Sequence, residues 1–252
     1  RRRGTMEDYI KCLKLVHAED SYSINGGIMI QPGNIPEEAG AIQMFYATLL
    51  HSDKAIMLPT GFKDEMALML EAGCELFGGK EEMIEKPRMI ALINTVSPLS
   101  LDERMLDCLM LLAEYGQAAI LCPAAMLGAT GSLSMAGTLA SGAAESLAGI
   151  VLAQMIRPGT PVVFGVQSTA ADMRGGITFA CAAPEGTLMQ GFGANLARFY
   201  GLPSRGGGCQ TDAPVINCQA GYESMLTFSS AYRHGINFVM EAGGVMDSVN
   251  AT

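Results

Sequence analysis

A chain of 252 residues with 49% hydrophobic positions can fill one large core, and α/β barrels reach this length undivided. A formal net charge of −9 excludes a general nucleic-acid surface, which needs an excess of Lys and Arg; the RRR at positions 1–3 is the one basic cluster and reads as a solvated terminus. The longest uncharged segment is broken by Pro123, Gly128, Gly131 and several hydroxyls, so no run of about 18 continuous apolar residues marks a membrane span, and a soluble protein is expected.

The seven cysteines are odd in number, scattered and never in a CxxC pair, which points to a reducing, cytoplasmic setting. The chain opens on Arg1 with no initiator Met, and reads as truncated at its start.

Taken in order, residues 5–18 put Ile10, Leu13 and Val16 at helical spacing, and 23–30 read as a strand closed by Gln31-Pro32-Gly33. Residues 36–51 form the next helix, with Pro36 suited to its first turn, before a strand at 55–58 and the stop Pro59-Thr60-Gly61. A helix at 62–76 ends near Gly78-Gly79, and a strand follows at 89–93. The loop 94–100 leads to a helix at 101–114, for which Ser100 is the expected cap and Glu103 completes a capping box. Then come a strand at 118–121, an uncharged loop rich in Gly, Ser and Thr, a helix at about 134–156 and a strand at 162–165. A long loop runs to Pro184; a helix at 185–200, a short strand near Ser204, a Gly-rich loop, a helix at 217–234 and a strand at 237–241 complete the chain.

Strands separated by single helices imply parallel pairing with right-handed crossovers. The expected fold is α/β: a single TIM (β/α)8 barrel domain over residues 1–252. An open doubly wound sheet is the runner-up, but the dinucleotide fingerprint that often marks one follows none of the strands. In a barrel the chemistry sits on the loops at the carboxyl ends of strands, here beginning at Gln31, Pro59, Asn94, Pro123, Val166, Gly206 and Ala242.

The stretch 128–165, GATGSLSMAGTLASGAAESLAGIVLAQMIRPGTPVVFG, resembles the core signature of the trimethylamine methyltransferase family, the corrinoid-dependent methylamine and betaine methyltransferases. Supporting blocks occur in the same order: INTVSPLSLDERML at 93–106, ADMRGG at 171–176, ARFYGLPS at 197–204, TDAPVINCQAGYES at 211–224 and GINFVMEAGG at 235–244. Each block alone is weak; together they are specific and cover nearly the whole chain.

The resemblance implies a barrel subunit that moves a methyl group from a methylated amine to the cobalt of a separate protein. The corrinoid (cobalamin) is then carried by that cognate partner, with none bound covalently here, and the subunit is expected to be a homo-oligomer. Relatives are longer, so the chain resembles an internal fragment whose barrel is incomplete at both ends. All positions are standard residues, as in the pyrrolysine-free branch, whose members demethylate quaternary amines such as glycine betaine. A quaternary ammonium departs as a neutral amine without a proton donor, so no general acid is required and no catalytic residue is assigned. The alternatives are a trimethylamine demethylase and a non-catalytic amine-binding barrel fragment.

A trimethylammonium head cannot donate hydrogen bonds, so aromatic faces and carboxylates are its natural hosts. Phe179, after the strand at 162–165, is a candidate cage wall, against the commoner role of a core Phe. Glu241, ending an apolar strand at the mouth, is a candidate counter-charge, with a loop carboxylate as the bland alternative. Asp172 and Arg174, in the DMR pattern, are candidates to shape the loop over the substrate or to bind a substrate carboxylate through a bidentate pair, against the commoner role of pairing with each other or with another loop. Asn94, Gln210, Asp212 and Gln219 are polar groups beside the mouth, for which structural hydrogen bonds are the default.

Met240 stands where a polar residue, often His, is common among relatives, and Asn217 where Asp is common. Cys209, Cys218 and His234 match no zinc spacing, so no metal is expected. Gly206-Gly207-Gly208 reads as a loop that lets a bulky planar cofactor approach closely.

Overall fold

The computed structural model describes residues 2–172, 179–246 and 250–251. In chain order the elements are α1 (Met6–Ala18), β1 (Ile24–Gly26), a 3-10 turn at Glu37–Ala39, α2 (Gly40–His51), β2 (Ala55–Leu58), α3 (Lys63–Phe77), α4 (Lys80–Glu85), β3 (Met89–Asn94) and α5 (Glu103–Glu114). They continue with β4 (Ala118–Cys122), β5 (Met126–Leu127), α6 (Met135–Ile156), β6 (Val162–Gly165), β7 (Thr169–Ala170), α7 (Pro184–Phe199), β8 (Ser204–Gly207), β9 (Gln210–Thr211), α8 (Cys218–Arg233), β10 (Phe238–Met240), β11 (Val245–Met246) and β12 (Asn250–Ala251).

Seven strands hydrogen bond in the order β1-β2-β3-β4-β6-β8-β10. The pairs β1–β2, β2–β3, β6–β8 and β8–β10 are parallel, and each step along the sheet crosses at least one helix. The order never reverses, as it must in a doubly wound sheet. This is the incomplete TIM-like barrel that the strand-helix alternation predicts. The short strands β5 and β7 pair with each other beyond the ends of β4 and β6, and β9 pairs with β11 beyond β8.

Residues group into two compact units. The first comprises Arg1–Ile93, Glu103–Ala119 and Leu152–Pro161. In it, Thr5 and Asp8 close a capping box on α1, whose Tyr9 and Leu13 pack against Met44 and Ala47 of α2. The Tyr9 hydroxyl donates to Gly27 O at 2.9 Å, and burial pushes its pKa up to about 12. Gln117, completely buried, ties three segments together. Its Oε1 accepts from Arg88 N at 2.9 Å and Met89 N at 3.1 Å, and its Nε2 donates to Met83 O and Tyr115 O, both at 2.8 Å.

The second unit comprises Asn94–Asp102, Ile120–Val151 and Val162–Thr252. Glu145, buried in α6, accepts from the Thr95 hydroxyl, from Ser97 Oγ at 2.9 Å and from Leu99 N at 2.8 Å, which fastens the loop after β3 to the helix. At the next position, Ser146 Oγ donates to Gly165 O at 2.6 Å. Gly142 lies where a Cβ would touch Ser168, Val166 and Pro123 at 3.4–3.5 Å, so α6 packs closely on the loops after β4 and β6. At 22 residues with a mean hydropathy of 1.5 over its most apolar window, α6 is long and apolar enough to cross a membrane, which the count of continuous apolar residues did not detect. Within this fold its two central polar side chains, Glu145 and Ser146, are met by protein partners.

Three expectations change. The strand at 23–30 is only Ile24–Gly26, because Gly26 and Gly27 take positive φ of 101° and 71° and turn the chain, with Gly27 N bonding Met57 O at 2.7 Å. Gly78, at φ 89°, ends α3 as expected, but a further helix, α4, restarts two residues later. Ser100 does not cap α5: its backbone pairs with Val96 in both directions, and the helix begins at Glu103.

Candidate active site

Parallel strands covered on both faces are normally apolar, so a charged side chain inside one is informative. β8 reads Ser-Arg-Gly-Gly, and its Arg205 is 5% exposed. The guanidinium Nη2 donates to Glu241 Oε1 at 2.6 Å, Nη1 donates to Gln167 Oε1, and Nε lies 3.3 Å from Met240 Sδ. Gln167 Nε2 donates to Gln210 Oε1 at 3.1 Å, and Gln210 Nε2 reaches Glu241 Oε2 at 3.4 Å. The four side chains close a ring in which Arg205 only donates, Glu241 only accepts, and the two amides pass donation from one to the other.

Ring members come from the carboxyl ends of three neighbouring strands: Gln167 follows β6, Arg205 and Gln210 lie in β8 and just beyond it, and Glu241 follows β10. Glu241 is held in the left-handed region at φ 56°, a conformation costly for a residue with a Cβ and one that clusters at functional sites. Burial pushes its carboxyl above the usual range, while Arg205 pulls the other way. Gln190 of α7 supports the ring from behind, its Nε2 3.4 Å from Gln210 Oε1, while its own buried Oε1 has no hydrogen-bond partner among the described residues. Cys122, at the end of β4, is buried near Arg205; burial pushes its thiol up and Arg205 opposes this.

β9 links the ring to a cleft of about 630 Å³, since Gln210 belongs to the first and Asp212, two residues on, lines the second. Asp172, Glu185, Asp212, Gln219 and Glu223 supply the polar lining, with small Ala side chains between them. Asp212 accepts from Cys181 N at 3.1 Å, Cys181 Sγ at 3.2 Å and Ala182 N at 3.0 Å, at the start of α7. Burial nevertheless pushes the Asp212 carboxyl up, and burial with Asp212 beside it pushes the Cys181 thiol up, which favours its protonated form. Glu223 accepts from Thr211 Oγ1 at 2.6 Å, Asp212 N at 2.8 Å and Gln219 Nε2 at 2.9 Å.

The structure thus gathers Gln210 and Glu241 into the ring, and Asp172, Asp212 and Gln219 into the cleft wall. Asn94 stands exposed at the end of β3, outside both groups. Phe179 is half-buried beside the bridge between Ala170 and Ala180, and it does not line the cleft. Arg174 lies outside the described residues. Arg205 and Gln167 are the members that sequence reasoning missed; a lone Arg in a short Gly-rich strand was the available signal for the first. Asn217 caps α8, its Oδ1 accepting from Ala220 N at 3.0 Å, and His234 Nδ1 lies 2.9 Å from Ser230 O.

The Gly-rich loop is corrected. Gly206 and Gly207 lie within β8, and all three glycines are buried against protein atoms. A Cβ on Gly206 would come 2.4 Å from Ile236 Cδ1, and one on Gly207 would come 2.5–2.6 Å from the amide of Gln210. These glycines make room for the side chains behind the strand and for the ring, not for a planar cofactor. Gly207→Ala is therefore expected to push Gln210 out of the ring and to cost about 1–3 kcal/mol, the usual range for overpacking, measurable as a lower urea midpoint at unchanged m-value.

The family model for trimethylamine methyltransferase matches residues 1–250. The chain is 44% identical over 246 residues, 98% of its length and 51% of the relative's, to a glycine betaine methyltransferase of Desulfitobacterium hafniense. It is 37% identical over 163 residues, 64% of the chain and 33% of the relative, to a proline betaine:corrinoid methyltransferase of Eubacterium limosum. Over 166 residues, 66% of the chain and 33% of the relative, it is 37% identical to a trimethylamine methyltransferase of Methanosarcina barkeri. The chain spans about half the length of the first of these relatives and a third of the other two. With blocks in the family's order, strands in the order of an incomplete barrel and a family match from end to end, the chain belongs to the trimethylamine methyltransferase family.

Proposed function

We propose that the chain is the amine-binding part of a methyltransferase that moves a methyl group from a quaternary amine, of the glycine betaine type, to Co(I) on a partner corrinoid protein. The observation that carries this reading is the 44% identity, spread over 98% of the chain, with a glycine betaine methyltransferase. A relative named for proline betaine and a corrinoid supports both the quaternary amine and the partner.

The partner's corrinoid supplies the nucleophile, Co(I). The residues of this chain bind and orient the amine and keep water from it, which in near-attack geometry contributes about 7–11 kcal/mol. Four carboxylates, Asp172, Glu185, Asp212 and Glu223, line one cleft, and such a wall raises the local concentration of a cationic head. Its volume of about 630 Å³ exceeds what a small betaine needs. The loop at 128–134 after β5 is uncharged and built of small residues, with Leu133 89% exposed at its tip. That surface suits the approach of a broad, largely apolar ring system carried by another protein.

The test incubates the intact protein with its corrinoid partner, reduced to Co(I), and follows methyl–cobalt formation by absorbance. Glycine betaine is expected to react and to yield dimethylglycine. Faster reaction with trimethylamine would favour a tertiary-amine enzyme, and no methyl–cobalt product from glycine betaine, proline betaine or trimethylamine would overturn the proposal.

A further inference from the structure

A guanidinium carries five N–H donors and a permanent charge. At Arg205 the three bonds described above engage three of them, and the thioether of Met240 is a weak acceptor. Among the described residues, the second N–H on each Nη meets no acceptor, although the side chain is only 3% exposed. Buried donors are rarely left in this state, and two N–H bonds of one planar guanidinium are what a single carboxylate accepts as a pair.

The geometry points to Arg205 as the anchor of a substrate carboxylate, which makes the ligand of this site a zwitterionic betaine rather than a bare cation or a neutral amine. This rests on the reading above that a methylated amine is bound, and names what else that amine must carry.

Charge balance favours the same class. Arg205 and Glu241 cancel, and the two amides add nothing, so the ring is neutral. A lone cation or anion entering it would leave one net charge in a desolvated site, at a cost of several kcal/mol. A betaine brings both signs, one carbon apart. Its carboxylate meets Arg205, and its ammonium falls beside Glu241, the ring member nearest solvent with a side chain 21% exposed. The link from Gln210 to Glu241 Oε2, at 3.4 Å, is among the longest in the ring, so this carboxylate oxygen is the one most easily released toward the ammonium.

The test is calorimetric titration of the intact protein at low salt with three ligands. Glycine betaine has both charges, choline lacks the carboxylate, and tert-butylacetate has a carbon in place of the charged nitrogen. Wild type is expected to bind glycine betaine more tightly than choline. Arg205→Gln is expected to weaken glycine betaine and tert-butylacetate by about 10- to 100-fold, as for loss of a charge-assisted pair, while choline, whose charge then balances the Glu241 carboxylate, is not weakened and binds more tightly. Arg205→Lys, which keeps the charge but not the fork, is expected to recover part of the loss.

Equal glycine betaine affinity in wild type and a folded Arg205→Gln protein would overturn the anchor. Should that variant fail to fold, wild-type protein that binds choline as tightly as glycine betaine would overturn it instead. Arg205-dependent betaine binding without methyl transfer to the corrinoid partner would uphold the anchor and sink the methyltransferase reading.

Discussion

Glu241→Ala is expected to lower the stability of the intact protein by about 3 kcal/mol, seen as a fall in the urea midpoint. The size follows from what is left behind rather than from what is removed. Arg205, its side chain 3% exposed, cannot lose its proton and, among the described residues, keeps only the Gln167 carbonyl and a thioether as partners. Breaking a buried pair from one side costs about 3–5 kcal/mol, and the lower end applies because Glu241 is 21% exposed, so water can reach the vacated place. Glu241→Gln keeps an oxygen for Arg205 and should lose less. Removing both charges in Arg205→Met with Glu241→Ala should recover much of the loss, since the intact pair contributes little net stability over an apolar filling. A single variant within about 0.5 kcal/mol of wild type would mean that the ring is not a buried ion pair in solution.

This ring also marks the boundary of what the sequence discloses. The barrel order was legible because it depends on local alternation: apolar runs of four to six residues, glycine and proline stops, and helices between them. The seven main strands follow from these. Glu241 and Gln210 were legible as polar groups at strand ends, where a barrel puts its mouth. Their partner was not. Arg205 acquires its meaning only when β6, β8 and β10 come side by side, and the chain separates it from Gln167 by 38 positions and from Glu241 by 36. The same non-local packing overturned the reading of Gly206-Gly207-Gly208: a run of glycines signals close approach, but not what approaches. Here the near neighbours are Ile236 and Gln210. Likewise Ser100 followed by Glu103 carries the local pattern of a capping box, and a two-way backbone bridge to Val96 outcompetes it.

Gln117→Leu is expected to cost about 3–5 kcal/mol, even though it replaces a buried polar side chain by an apolar one of similar size. On burial alone the change should help, because Leu gains roughly 1.5–3 kcal/mol from leaving water. The opposing effect is larger. Gln117 is 0% exposed and answers two backbone N–H groups, of Arg88 and Met89, and two carbonyls, of Met83 and Tyr115. Leucine orphans the buried Met89 N–H and Met83 carbonyl and deprives the part-buried groups of Arg88 and Tyr115 of their partner. Each orphan costs about 1–3 kcal/mol, and water at the part-buried pair with relaxation of the ends of α4 and α5 keeps the sum below the arithmetic total. Gln117→Glu separates the two halves of the contact: it still accepts from Arg88 and Met89 but turns an oxygen toward the carbonyls of Met83 and Tyr115, and should be at least as damaging as Leu. Urea denaturation of the intact protein decides the matter. A Leu variant as stable as wild type would show that apolar burial outweighs backbone hydrogen bonding at this junction.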